Sequence, residues 1–173
     1  MDIARPGGCD EIRDSRGVAI ADLDLDGRLD LVISNNNAGA GIYLNRLETA
    51  GHWIGLTLEG DQSNRNAVGA RVLLTAGGKT QHRVVEAGSG FASQAPFALH
   101  LGVGQASRID GLTVYWPNGG VDRFSKEKLE TFIDCNLYLR EGTGILKLRE
   151  RSLSRQAAVS SSPANQAGGG TPQ

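Results

Sequence analysis

Four carboxylates within nine residues constrain this chain more than any other feature of its sequence. At positions 1, 3, 5 and 9 of one segment stand Asp22, Asp24, Asp26 and Asp30. Carboxylates this close repel one another, so the arrangement becomes favourable when a hard cation neutralises it. Ca²⁺ prefers oxygen ligands, and Gly27 at position 6 permits the sharp turn that would carry the chain round the ion. We therefore predict a calcium loop.

The predicted ligands are the four aspartate side chains and, at position 7, the backbone carbonyl of Arg28. An EF-hand shares the first half of this pattern, but it needs a glutamate at position 12 and a helix on each side. Position 12 is Ile33 here, and the flanks 17–21 and 29–34 are short, aliphatic and bounded by turn formers. Such flanks favour strands. The alternative is an acidic, solvated turn that holds no metal.

Residues 17–32, which read GVAIADLDLDGRLDLV, resemble an FG-GAP repeat of the VCBS type. Such repeats form the blades of β-propellers, and the resemblance implies calcium ligands at the same five residues. A lone blade would leave its sheet faces and edges uncovered. We therefore expect it to pack on the second domain, on further propeller blades missing from this chain, or on a partner chain.

The rest of the chain predicts a second domain made of strands. Glycine is frequent, at 24 of 173 residues, and aromatic residues are sparse, which suits many short strands joined by turns. Alternating segments predict the strands, and the sequence AGGK at 76–79 predicts a hairpin. Four segments in order, 63–72, 88–94, 99–104 and 114–119, resemble the ASPIC/UnbV domain. We expect about seven strands in a β-sandwich-like or barrel-like domain.

The whole chain is therefore predicted to be all-β, with three parts. One FG-GAP blade with the calcium loop covers 1–48, the ASPIC/UnbV domain covers 49–141, and a disordered tail covers 142–173. The tail is rich in serine, alanine, glutamine and glycine, so it cannot bury enough apolar surface to order itself. The N-terminus lacks the apolar core of a signal peptide. Because proteins with both domains normally carry several repeats, we expect the C-terminal part of a longer exported protein.

Two polar loops, the first at residues 63–66 and the second at residues 89–94, form a second candidate site, for a ligand other than a metal. The predicted residues are Ser63, Asn64, Arg65, Asn66, Ser89, Phe91 and Gln94. Arg65 would hold a carboxylate or sulfate, and Phe91 would stack on a sugar or on a partner side chain. The alternative is that the loops brace one another by hydrogen bonds while Phe91 plugs the end of the sandwich.

Composition and motifs narrow the function. The net charge of −1 favours neither nucleic acid nor a membrane surface as partner, and no apolar run is long enough to span a bilayer. The sequence contains no P-loop, dinucleotide fingerprint, nucleophile elbow or zinc-ligand spacing. Cys9 and Cys135 either pair or stay free, and the sequence leaves both open.

We therefore predict a non-catalytic, calcium-binding module for binding or adhesion, located outside the cell, in the periplasm or at the cell surface. Its partner would be a protein or a glycan. Two alternatives stay open. One is an enzyme or accessory protein of a biosynthetic pathway, which the UnbV resemblance implies, and the other is a carbohydrate-binding module.

Overall fold

The computed structural model describes residues 7–9, 12–48, 51–88, 90–129 and 132–149. For residues 146–149 it describes the backbone only. The described part consists of eleven strands and one helix of four residues. The all-β prediction is thereby confirmed. No helix of this part is long and apolar enough to cross a bilayer.

The first three strands form a small antiparallel sheet. They are β1 (Ser15–Ala21), β2 (Asp30–Asn35) and β3 (Gly41–Tyr43), paired in that order. The aspartate loop joins β1 to β2, so its predicted strand flanks are confirmed. Most of the exposed large hydrophobic side chains of the described residues belong to this sheet and its loops: Ile12, Val18, Ile20, Leu23, Leu29, Ile42, Leu44 and Leu47.

The remaining strands form a β-sandwich of two four-stranded sheets. Their bounds are β4 (His52–Glu59), β5 (Arg71–Ala76), β6 (Lys79–Val84), β7 (Leu99–Gly104), β8 (Gly111–Tyr115), β9 (Val121–Ser125), β10 (Cys135–Arg140) and β11 (Gly144–Arg149), and helix α1 (Lys126–Leu129) lies between β9 and β10. The first sheet has the order β11-β10-β4-β7, in which β10 and β4 are parallel. The second has the order β6-β5-β8-β9.

The core lies between these two sheets and is built from alternate residues of the strands. Strand β4 contributes Ile54, Leu56 and Leu58, and β8 contributes Leu112 and Val114, all of them buried. Residues at the positions between them lie on the outer faces, as the period of two in a strand requires. The core cluster contains no described residue of β1, β2 or β3. The N-terminal sheet therefore contributes nothing to the sandwich core.

The hairpin predicted at 76–79 joins β5 to β6. Gly77 and Gly78 have φ angles of 56° and 73°. A type I′ turn requires positive φ at both central residues, which glycine adopts without strain. The predicted turn is confirmed, and the register of β5 with β6 follows from it.

Strand β10 begins at Cys135, directly after Asp134, whose φ of 55° turns the chain. One prediction at the C-terminal end is wrong. The tail predicted as disordered from residue 142 includes Gly144–Arg149, which pair with β10 as strand β11. Backbone pairing with β10 supplies order that composition does not reveal. Disorder stays a prediction for 150–173, which lie outside the described residues.

The two cysteines are both free thiols. Burial raises the pKa of Cys135 to about 11, and the neighbouring Asp134 carboxylate acts in the same direction. The thiolate is the reactive form of cysteine, so this thiol is a poor nucleophile at neutral pH.

Candidate functional site

Three of the four loop aspartates converge. Asp22, Asp24 and Asp30 each offer a carboxylate oxygen, and these three oxygens lie within 4.8 Å of one another. Calcium–oxygen distances are about 2.3–2.6 Å, so oxygens on opposite sides of one ion lie up to about 5 Å apart. The carboxylates therefore fit around one Ca²⁺.

Backbone N–H groups hold two of these carboxylates in place. Asp22 accepts hydrogen bonds from two N–H groups inside the loop, at 3.0 and 2.9 Å. Asp30 is buried and accepts from the N–H groups of Leu23 and Asn45, at 2.9 and 2.8 Å. Burial raises the pKa of Asp22, although its two N–H donors oppose the shift. A carboxylate has about four lone-pair sites, so each residue keeps acceptor capacity for a cation.

Asp26 and Arg28 bind each other beside this cluster. The Arg28 N–H donates to Oδ1 of Asp26 at 2.9 Å, and its guanidinium forms an ion pair with the same carboxylate. Nε of Arg28 also donates to the carbonyl of Asn45 at 2.7 Å. Asp26 does not belong to the converging group of three. The ligand roles of Asp26 and of the Arg28 carbonyl stay predictions.

The loop is docked on the sandwich through Gly27. A Cβ atom at Gly27 would lie 2.0 Å from Nε1 of Trp53, and the φ angle of Gly27 is +89°. Glycine thus allows the loop to approach the indole this closely. Trp53 is buried and stacks on His100 of β7, with ring centroids 5.2 Å apart. Burial lowers the pKa of His100, while the nearby Asp22 carboxylate acts in the opposite direction.

Glu141, which no sequence motif marked, holds the first polar loop. One carboxylate oxygen accepts the backbone N–H groups of Asp61, Gln62 and Ser63 at 2.8, 3.0 and 2.8 Å. The other accepts the Ser63 hydroxyl at 3.1 Å. Consecutive N–H groups aimed at one oxygen form a backbone anion site, here called the Glu141 cradle. Burial raises the pKa of Glu141, but these hydrogen bonds outweigh burial and the net pKa is lowered.

The other residues predicted in this loop have local roles or face solvent. The Asn64 side chain accepts from the N–H of Val68 and donates to its carbonyl, both at 2.8 Å. Arg65 and Asn66 are exposed. These hydrogen bonds to Glu141 and within the turn itself brace the first loop. The sequence alone also allowed the two polar loops to brace one another instead.

The second polar loop lies beside the N-terminal sheet. Phe91 is 83% exposed, so its interpretation as a plug at the sandwich end is wrong. A Cβ atom on Gly17 of β1 would lie 2.5 Å from the carbonyl oxygen of Ala92, which places this loop against β1. Gln94 is exposed, and Ser89 lies outside the described residues. The structure thus gives the two polar loops different neighbours.

The class of the sandwich domain follows from a comparison of its sequence with known protein families. Residues 60–143 match the protein family described as ASPIC and UnbV. The chain therefore contains an ASPIC/UnbV domain, as its sequence motifs predicted. The match begins directly after β4 and ends directly before β11, so both lie just outside the matched region.

One curated relative is cartilage acidic protein 1 of Xenopus tropicalis. It is 28% identical to this chain over 127 residues, which are 70% of this chain and 19% of the relative. The chain thus spans about a fifth of the length of that protein. The FG-GAP resemblance of the N-terminal sheet stays a prediction.

Proposed function

We propose that this protein is an extracellular binding module in which Ca²⁺ at the aspartate loop stabilises the junction between the N-terminal sheet and the ASPIC/UnbV sandwich. The convergence of Asp22, Asp24 and Asp30 carries this proposal. Their carboxylates would hold the ion, and the ion would offset their mutual repulsion. Because Gly27 of the same loop lies against Trp53, an ordered loop would also keep the junction closed.

Three further considerations support an extracellular setting. The similarity to cartilage acidic protein 1 relates the chain to a protein named for cartilage. The resemblance to FG-GAP repeats points to secreted propeller proteins. Extracellular calcium modules bind their ion with dissociation constants of about 10⁻⁴–10⁻³ M, a range that a partly exposed loop with three carboxylates would suit. The partner of the module is proposed to be a protein or a glycan.

Thermal unfolding in calcium and in chelator tests the metal role. An ion that binds the folded loop and not the unfolded chain stabilises the protein by about 2.7 kcal/mol at 100 times its Kd. We expect calcium to raise the Tm of the wild type and calorimetry to show a saturable binding heat. Asp24→Ala should melt like the chelated wild type in both conditions. Asp110→Ala, which removes an aspartate outside the loop, should keep the calcium response.

An unchanged wild-type Tm together with no binding heat at millimolar calcium would refute the metal role. The solvated acidic turn would then be the correct interpretation of the loop. A rise in Tm that Asp24→Ala retains would place the ion elsewhere in the chain.

A second candidate function is recognition through Phe91, because a large aromatic ring at 83% exposure offers its faces to a ligand. Aromatic rings stack on sugar rings and on partner side chains. A glycan array probed with the wild type and with Phe91→Ala tests the carbohydrate version. Hits that disappear in the variant are expected, and an array without such hits removes this candidate.

A further inference from the structure

A cavity separates the N-terminal sheet from the outer face of the first sandwich sheet. Its volume is about 610 Å³, within the range of roughly 300–1,000 Å³ that small-molecule sites occupy. One wall comes from the end of β1 and the aspartate loop, through Ile20, Leu25 and Leu29. Pro96 and Ala98, which precede β7 in the chain, also line the cavity. These five lining residues are all apolar.

The floor of the cavity is polar and belongs to the parallel strands β4 and β10. Thr57 and Tyr138 are direct partners in this pairing, and Asn136 is the partner of Gly55. A Cβ atom on Gly55 would lie 1.8 Å from Oδ1 of Asn136, so glycine lets the amide lie flat over the neighbouring strand. The floor thus presents a hydroxyl, an amide and a phenol, all uncharged groups that donate and accept hydrogen bonds.

The charge of the lining selects against anions. Among the residues that line the cavity there is no lysine or arginine, and Asp22 is the one acidic residue. In the calcium-free protein, an anionic ligand would lose its hydration and meet a carboxylate without a compensating cation. An uncharged ligand with an apolar body would cover the apolar lining and place its polar edge on the floor.

We propose that this cavity binds a small uncharged molecule with a flat apolar ring and a hydrogen-bonding group at its edge, of which a phenol is the simplest example. The proposal goes beyond the proposed function, whose partner is a protein or a glycan, and it does not require calcium. Flat rings suit the site because its lining combines apolar side chains with the polar groups of β4 and β10, and Tyr138 adds an aromatic ring on which a flat ring would stack.

A titration of the ¹⁵N-labelled protein with p-cresol, followed by two-dimensional NMR, tests the inference. We expect saturable shifts of the amide signals of Thr57, His100 and Tyr138, in calcium and in chelator. In chelator, where no cation neutralises Asp22, the matched anion 4-hydroxyphenylacetate should bind about tenfold more weakly, because it adds a carboxylate near Asp22. Absence of saturable p-cresol shifts at these signals, or an anion that binds as well as p-cresol in chelator, would overturn the proposal.

Variants separate the floor from the rest of the sheet surface. Thr57→Val removes the hydroxyl at nearly constant volume and should weaken p-cresol binding about three- to tenfold, as loss of one hydrogen bond does. Thr113→Val makes the same change in the middle of β8 on the second sheet and should leave binding unchanged. Ala98→Leu should weaken binding by narrowing the cavity at its apolar lining. Thermal melts of all variants establish that they are folded.

The two proposals fail in different ways. If p-cresol does not bind while calcium raises the Tm, the cavity inference is overturned and the metal role stands. If p-cresol shifts the floor signals while calcium neither raises the Tm nor gives a binding heat, the cavity inference is supported and the metal role is refuted. Where p-cresol binds, Thr57→Val must weaken the binding more than Thr113→Val does.

Discussion

The aspartate loop and the Glu141 cradle both hold acidic side chains in ordered loops, but they balance the negative charge differently. In the cradle, three backbone N–H groups and one hydroxyl surround a single carboxylate. In the aspartate loop, three carboxylates converge, with Arg46 reaching Asp24 at 3.3 Å from the exposed side. The cradle is complete within the chain, whereas the loop holds more negative charge than its neighbours offset. We infer a fixed structural clamp in the first case and a cation-responsive site in the second.

The largest effect is expected from Gly27→Ala, which tests whether the loop depends on its docking to the sandwich. The new Cβ would lie 2.0 Å from Nε1 of Trp53, at a φ of +89°. Overpacking and backbone strain together should cost about 3 kcal/mol of unfolding free energy. Urea unfolding measures this change, and the calcium response of the Tm should fall with it.

Gly119→Ala is the matched control for that substitution. Gly119 has a φ of +93°, but a Cβ atom there would meet nothing within 4 Å. It should cost only the strain of a left-handed conformation, about 1–2 kcal/mol. Equal losses in the two variants would mean that the contact with Trp53 contributes nothing.

The next largest effect is expected from Glu141→Gln, which tests whether the cradle is independent of calcium. The amide keeps the shape of the carboxylate but loses the charge that the N–H groups favour, so we expect a loss of about 1–3 kcal/mol. Urea unfolding should report the same loss in calcium and in chelator. Glu86→Gln, at an exposed position after β6, should change the stability little. A loss at Glu141 that depends on calcium would contradict the proposed separation of the two sites.

The pH dependence of the cradle sharpens the same comparison. The folded pKa of Glu141 is lowered from the ordinary value of 4.5, so the unfolded chain takes up its proton first as the pH falls. The stabilisation is fully present above about pH 4.5 and is lost as the pH falls through the lowered folded pKa. The stability difference between wild type and Glu141→Gln should be constant near neutral pH and shrink only in acid. A difference that disappears between neutral pH and pH 4.5 would count against this assignment.

The smallest effect is expected from Asp26→Asn, which tests whether Asp26 is a calcium ligand in addition to the three converging aspartates. Asp26 is paired with Arg28 at a partly exposed position, and such pairs contribute roughly 0–1 kcal/mol. If the converging group alone holds the ion, the variant keeps most of the calcium-dependent rise in Tm, whereas Asp24→Asn loses it. If both variants lose the calcium-dependent rise in Tm, Asp26 is also a ligand, as the sequence pattern predicts.

Strand positions and turns were largely predictable because they depend on neighbouring residues. Alternation indicates which residues of β4 and β8 face the core, and the pair Gly77-Gly78 indicates the turn between β5 and β6. Strand β11 was missed because its order comes from pairing with β10, and the surrounding composition is that of a tail. The exposure of Phe91 was missed for a related reason, since a short Gly-Ser-Gly-Phe turn does not reveal which surface its ring meets.

The sequence by itself determined the spacing of the aspartates, the strand–loop–strand around them and the presence of an ASPIC/UnbV domain. The first two depend on a few consecutive residues, where side-chain period and turn chemistry act directly, and the third on four short segments in a fixed order between residues 63 and 119. Only the tertiary structure decided that Asp26 pairs with Arg28, that Gly27 lies on Trp53, and that Glu141 accepts N–H groups 78 to 80 positions away. Such contacts depend on how the sheets and their loops pack in space, and the local pattern of side chains does not determine this packing.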